Sequence, residues 1–336
     1  MEKRKLIIPK GKKLQWGIAG CGKYAENVFL PTFQLLKKSR MHIVYSASEA
    51  RAQAISNKFS IPNFTSDFDE FLKNDIDVVY IAGSNYNHYA NVIKAAEAGK
   101  HILCEKPLAL SSEEAEEMIK ICEENNVILS VNYVHRFHPL VRKAKELIDN
   151  HMLGTVVSIS VNFNADIPPS DNFRFKRDKS GGGALRDIGT DMIDLLRYFG
   201  GEITEIKGFM DNIIYKSEVE DFASGIVRFE KSGFGYFNVS FNTKKYFNRI
   251  EILGYNGAIS IDNIIGKKNT QSRLTIDLQG ESKKAFRKKA NKLLFRLRDF
   301  QSAMLGNHSP MVSGYDGVVN IKLMEQLEEE CRTQTN

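Results

Sequence analysis

Leu14-Gln-Trp-Gly-Ile-Ala19, running directly into Gly20-Cys-Gly22-Lys-Tyr-Ala25, is the stretch that decides the fold. An apolar strand that enters a turn with two closely spaced glycines and leaves it as a helix is the phosphate-binding corner of a dinucleotide-binding sheet. Gly20 and Gly22 let the backbone turn tightly and approach a pyrophosphate, and Ala25 lets helix and strand pack closely. The amides that open the helix then face the anion.

Working outward, the first helix is expected from about Tyr24 to Ser39 and the second strand from His42 to Ser46. Ala52 to Lys58 reads as part of a helix, Asp77 to Ile81 as a buried strand, and the following helical pattern runs through Ala98 to a stop at Gly99. His101 to Cys104 is a fourth strand. Ser111-Ser-Glu-Glu114 resembles a capping box for a helix ending near Asn125, before a last strand from Val127 to Val131. Such alternation implies an α/β fold with a parallel, doubly wound sheet.

After Pro139 the pattern changes. Leu140 to Asn150 reads as helix and Val156 to Phe163 as strand. Ala223 to Phe229 and Phe234 to Phe241 flank the turn Lys231-Ser-Gly233, and Arg249 to Leu253 pairs with Ala258 to Ile261 around Tyr255-Asn-Gly257. Successive hairpins predict an α+β domain with an open, mostly antiparallel sheet. The expected division is 13–137 for the dinucleotide-binding domain and 138–336 for a domain that binds substrate and mediates oligomerisation.

The 336 residues exceed what most single cores use, and 42% hydrophobic with 26% charged residues is ordinary for a globular chain. No apolar run is long enough for a membrane span, and Met1-Glu-Lys-Arg-Lys has no signal-peptide core behind it. Cys21, Cys104, Cys122 and Cys331 have neither metal-ligand nor disulfide spacing, so the cytoplasm is expected and no metal is. The net charge is +6, part of it between Lys283 and Arg298. There Phe286, Leu293, Leu294, Phe295 and Leu297 read as the apolar stripe of a helix whose basic face is solvated. No motif for reading nucleic acid accompanies these charges.

Which dinucleotide binds depends on the end of the second strand, Ser46-Ala-Ser48-Glu-Ala-Arg51. Two hydroxyls and an arginine suit the 2′-phosphate of NADP(H). Glu49 argues the other way, since an acidic residue there binds the ribose diol of NAD(H). NADP(H) is the preferred reading, with NAD(H) open.

Glu105-Lys106-Pro107 follows the fourth strand, and Gly181-Gly-Gly-Ala-Leu-Arg-Asp187-Ile-Gly-Thr-Asp191 lies downstream. With Ala96-Glu-Ala-Gly99-Lys-His-Ile-Leu-Cys-Glu105-Lys106-Pro107, Asn85-Tyr-Asn-His88 and Phe173-Arg174-Phe175, the chain resembles the Gfo/Idh/MocA family of glucose–fructose oxidoreductases and inositol dehydrogenases. The resemblance implies a Rossmann domain, hydride transfer to or from a hydroxyl or carbonyl carbon of a sugar, cyclitol or sugar derivative, and a homodimer or homotetramer built through the second sheet. It assigns Lys106 to the proton of the reacting oxygen and Asp187 to orienting the site. Gly20, Gly22, Lys23, Tyr24, Ala25, Ser46, Ser48, Arg51, Ser84, Asn85, His88, Glu105 and Lys106 are the expected cofactor residues. Lys106, Arg136, Arg174, Asp187 and Asp191 are the expected substrate residues.

Asp191 departs from the pattern, because many members carry histidine there. If the chain is helical from Asp187 onward, the two carboxylates lie one turn apart. Asp191 is read as the replacement for that histidine, as substrate ligand or proton acceptor. Two alternatives remain: the departure motivates a cofactor-binding sensor or regulatory protein with little turnover, and the resemblance also leaves a glycosidase that retains NAD and oxidises its sugar transiently.

Overall fold

The computed structural model describes residues 13–265, 270–306 and 308–333. They form two compact units: the chain up to Tyr133 together with Leu293–Ile321, and Val134–Lys292 together with the chain from Lys322 onward.

The first unit holds β1 (Leu14–Ala19), β2 (Ser39–Tyr45), β3 (Asn63–Thr65), β4 (Val78–Ile81), β5 (His101–Cys104) and β6 (Leu129–Val131). They lie in the order β3-β2-β1-β4-β5-β6, and every neighbouring pair is parallel. β4 and β5 are buried along their whole length, which is why they read as unbroken apolar runs. The order reverses between β1 and β4, and the carboxyl ends of the strands at such a switch point are where these sheets take ligands. Trp16 packs edge-on against Phe33 and Phe300, with ring centroids 5.3 and 5.5 Å away. Phe300 belongs to the helix Lys292–Gly306, and on the same helix buried Arg296 donates to the carbonyl of Val131 at 3.0 Å. The late segment is thereby fastened to the first sheet.

The second unit holds β7 (Val156–Asp166), β8 (Ile203–Asp211), β9 (Phe222–Phe229), β10 (Phe234–Ser240), β11 (Asn242–Gly254), β12 (Gly257–Asp262), β13 (Ser272–Leu278) and β14 (Lys284–Lys288). Their order is β14-β13-β12-β11-β7-β10-β9-β8, antiparallel except for the β7–β10 pair. Side chains alternate: Val161, Val227, Phe237 and Ile252 are buried beneath the helix Thr190–Gly200 and its neighbours. Phe209, Ile226, Phe234, Tyr236 and Leu253 are exposed.

The structure corrects four readings. The first helix ends at Phe33, not Ser39, although apolar spacing continues to Leu36. The ladder to β1 has already begun, for Leu14 N–H donates to the Lys38 carbonyl at 2.9 Å and β2 is extended from Ser39. β3 and the helix Phe68–Lys73 were not anticipated. Ser111 caps its helix as expected, accepting from Glu114 N at 3.2 Å, but the Glu114 carboxylate reaches the amide of Leu110 at 3.1 Å rather than that of Ser111. The basic stretch Lys283 to Arg298 is not one helix. Lys284–Lys288 is the edge strand β14, and the helix starts at Lys292. Pairing with β13 decides this, and a charged edge strand resists further pairing.

Candidate active site

Gly20 has φ +112, and a side chain there would meet the backbone of Gly83 at 2.6 Å, so the turns after β1 and β4 touch at this glycine. Gly22 differs: no atom lies within 4 Å of where its Cβ would stand. Neither packing nor backbone strain demands glycine at 22, whereas a pyrophosphate approaching the turn would. The first bond of the following helix runs from Glu26 N–H to the Gly22 carbonyl at 3.1 Å, so the preceding amides lie at its open end. Ala25 is buried, while Lys23 and Tyr24 are exposed beside the turn. A dinucleotide fits these residues.

At the end of β2, Ser46 Oγ accepts from Ser48 N–H at 3.4 Å, and Ser48 is the N-cap of the helix Glu49–Phe59. Arg51 is drawn back over the glycine turn, its Nε donating to the Cys21 carbonyl at 3.0 Å and its Nη2 to Glu26 at 2.5 Å. Lys58 reaches the other oxygen of Glu26 at 2.6 Å. Hydrogen bonds from Lys58 and Arg51 pull the Glu26 carboxyl down to about 2. Two cations share one carboxylate, so the Arg51–Lys58–Glu26 cluster by itself is net positive. Glu49 stands exposed in the first turn.

Lys106 follows β5, and its bond to Pro107 is cis. Its neighbours fix it from two sides. Glu105 accepts from the Tyr80 hydroxyl and from Asn132 Nδ2 at 2.6 Å, and burial raises its pKa. His88 is fully buried, with Nδ1 2.9 Å from the Pro107 carbonyl and Nε2 3.2 Å from the Gly83 carbonyl. Burial lowers its pKa, and a neutral ring has one N–H, which the shorter contact assigns to Pro107. His88 and Glu105, expected at a cofactor, therefore brace the lysine turn. Ser84 and Asn85 open the short turn Asn85–Asn87 that leads into His88, and are half-buried. The fold thus gathers Gly20, Gly22, Ser84, Asn85 and Lys106 at the carboxyl ends of three adjacent strands.

In the second unit, a side chain on Gly183 would stand 1.9 Å from the Glu220 carbonyl oxygen. Buried Glu220 accepts from the amides of Gly183 and Leu185 at 2.9 and 3.1 Å, and Arg186 binds Glu328 through Nε and Nη2, both at 2.7 Å. The segment so pinned opens with a wide π turn, Leu185–Gly189, and continues as the α-helix Thr190–Gly200. Asp187 is paired with Arg174, Nε to Oδ2 2.7 Å. Asp191 is more deeply buried and lies 3.8 Å from Nε2 of His135. Each carboxylate has a partner of its own. Arg136, expected at a substrate, binds Asp194 through Nε at 2.8 Å and Nη2 at 2.6 Å, with its guanidinium 5.5 Å from the centre of the Tyr198 ring.

Lys292 was missed. Its Nζ donates to the Ile264 carbonyl at 2.6 Å and lies 2.9 Å from His135 Nδ1. Burial pushes this ammonium down to about 8, against the pull of Asp191. His138, whose Nδ1 accepts from Leu140 N–H at 3.1 Å, is held at about 4 by burial and by Lys292. A lone lysine at a helix start carries no sequence signal for this placement.

Two family models match. Residues 14–133 match the oxidoreductase family with an NAD-binding Rossmann fold, and residues 141–260 match the GFO/IDH/MocA C-terminal domain. Among curated relatives, oxidoreductase P35 of Formosa agariphila is 30% identical over 258 residues, covering 74% of this chain and 79% of that protein. A 1,5-anhydro-D-fructose reductase of Ensifer adhaerens is 28% identical over 308 residues, covering 90% and 92%. Among solved structures, levoglucosan dehydrogenase in complex with NADH and levoglucosan superposes with a TM-score of 0.87 at 23% identity, covering 96% of this chain and 98% of that one. The last comparison establishes the fold.

Proposed function

The chain belongs to the Gfo/Idh/MocA oxidoreductase family, and on that premise we propose that it is an NADP(H)-preferring enzyme that oxidises or reduces a hydroxyl or carbonyl carbon of a sugar, cyclitol or sugar derivative. The observation that carries this is Lys106, braced by Glu105 and His88 at the end of β5, on the same edge of the sheet as the open glycine at 22.

The bound nicotinamide supplies or accepts the hydride. Lys106 gives its proton to the oxygen during reduction, and as a neutral amine takes one from the hydroxyl during oxidation. Asp187, steadied by Arg174, and Asp191 accept hydrogen bonds from substrate hydroxyls and fix the orientation of the reacting carbon. Of the readings opened by Asp191 we keep the catalytic one, because His135 brings an imidazole beside the position that lacks it.

NADP(H) preference rests on the positive corner of Arg51, Lys58 and Glu26 beside the hydroxyls of Ser46 and Ser48. Calorimetry on the whole chain tests it. NADPH should bind more tightly than NADH, and Arg51→Ala should weaken NADPH by about ten- to a hundredfold, the range for a hydrogen bond to a charged group, with NADH nearly unchanged. Ser46→Asp should act in the same direction through repulsion. Tighter NADH binding by the unaltered protein would move the ribose contact to Glu49 and overturn the preference.

We place the enzyme in the cytoplasm, since all four cysteines are free thiols and suit a reducing compartment. No described helix is long and apolar enough to cross a membrane. We further propose that a second copy covers the outer face of the second sheet, where Tyr236 stands opposite Ile226, with Phe209, Phe234 and Leu253 nearby. Ile226→Lys with Tyr236→Lys should convert a dimer or tetramer to monomers in size-exclusion chromatography with light scattering. An unchanged mass would exclude this face as the contact.

A further inference from the structure

We propose that Lys292 is a positioning residue of the second unit: it holds His135 as the Nε2–H tautomer aimed at Asp191, so that a lysine–imidazole–carboxylate line does the work of the histidine expected at position 191. The inference deepens the enzymatic reading above and rests on it for its purpose, but the arrangement itself is tested without turnover.

The ammonium of Lys292, 2.9 Å from Nδ1 of His135, has no lone pair and can only donate to it, and a nitrogen that accepts carries no proton. The one proton of a neutral His135 ring must then sit on Nε2. That nitrogen is the one turned to Asp191, at 3.8 Å from Oδ1, beyond hydrogen-bond length, so the attraction is that of an N–H dipole for a carboxylate. Lys292 cannot swing away cheaply, because the same ammonium donates to the Ile264 carbonyl at 2.6 Å in the loop after β12. Burial has lowered its pKa to about 8, which still leaves it mostly cationic at neutral pH.

Other charged groups of this unit are engaged elsewhere, Asp187 with Arg174 at 2.7 Å. His138, on the segment next to His135, is held neutral well below pH 7. Arg136 and Asp194 form a bidentate pair with each other. A cation on the Nδ1 side opposes protonation of His135, while Asp191 on the Nε2 side favours it. Lys292, at 2.9 Å against 3.8 Å for Asp191, tips that balance toward the neutral ring and leaves Asp191 as an acceptor. Without it, the ring takes up a proton and a salt bridge to Asp191 replaces the acceptor with a closed pair.

The test uses the full chain labelled with nitrogen-15 in histidine, the His135 ring identified by its loss in His135→Gln. Two-bond proton–nitrogen correlations read the tautomer directly. In the unaltered protein His135 should show Nε2–H at neutral pH. In Lys292→Met the midpoint for proton uptake by His135 should rise by about a unit or more, from the loss of a unit charge in contact. Lys292→Arg should restore the original midpoint and tautomer. Nδ1–H in the unaltered protein overturns the proposal whether or not any variant folds, and so does an unmoved midpoint in Lys292→Met. Failure of the enzymatic reading would appear elsewhere, as absence of NADPH and NADH binding in calorimetry, with these resonances unaffected.

Discussion

Lys106→Met should lower kcat by about 10²- to 10⁴-fold, the contribution expected of a positioned acid–base group, while NADP(H) affinity changes only a few-fold. Methionine keeps the length and apolar body of the lysine stem and removes only the group that moves the proton. The hydrogen bonds of the brace are made by other groups: the Pro107 carbonyl is held by His88, and Glu105 by Tyr80 and Asn132. The geometry of the turn should therefore survive, and the loss should fall on the chemical step. Calorimetry of cofactor binding beside turnover of a panel of sugar ketones with NADPH separates the two. Undiminished turnover would remove Lys106 from the mechanism. Loss of cofactor binding equal to the loss of rate would make it a binding residue.

What could be read from the sequence was what residue type alone dictates. Gly20 is required by its φ and by the approach of Gly83, so the corner it makes is legible as a glycine at the end of an apolar strand. β5 was read with its observed bounds, since a short apolar run between Gly99 and Pro107 has little freedom to be anything else. The end of the first helix was not legible. Apolar spacing runs on to Leu36, and only the ladder from Leu14 to Ser39 stops the helix. Phe286 fits a helical stripe and a strand equally well, and pairing of β13 with β14 decides between them. In the site, Asp187 and Asp191 were picked out by the segment they sit in, but their partners were not. Arg174 comes from a separate turn, and Lys292 meets His135 across 157 positions of sequence. Long-range pairing of single charged residues leaves no periodic trace.

Arg136→Ala should destabilise the second unit by about 3–5 kcal/mol, more than any other single side-chain truncation in this cluster. The Arg136 side chain is 8% exposed and that of Asp194 1%, and their two hydrogen bonds are charge-assisted and parallel. Removing the guanidinium takes the counter-charge and two charge-assisted bonds from a carboxylate that is almost fully buried. The pH dependence has a definite sign. A buried carboxyl that loses its counter-charge has its folded pKa raised, so the folded variant binds a proton that the unfolded chain releases. The loss is then complete only above the raised folded pKa and shrinks as pH falls through it toward the unfolded value. Arg136→Met with Asp194→Leu, which removes both charges and keeps their volume, should be far closer to the unaltered protein than Arg136→Ala is. Urea unfolding followed at pH 8 and pH 4 checks all three statements. The same variants decide what Arg136 is for. If Arg136→Ala keeps its stability and instead raises KM for a sugar ketone, the guanidinium belongs to the substrate, and its bond to Asp194 is a resting contact that substrate displaces.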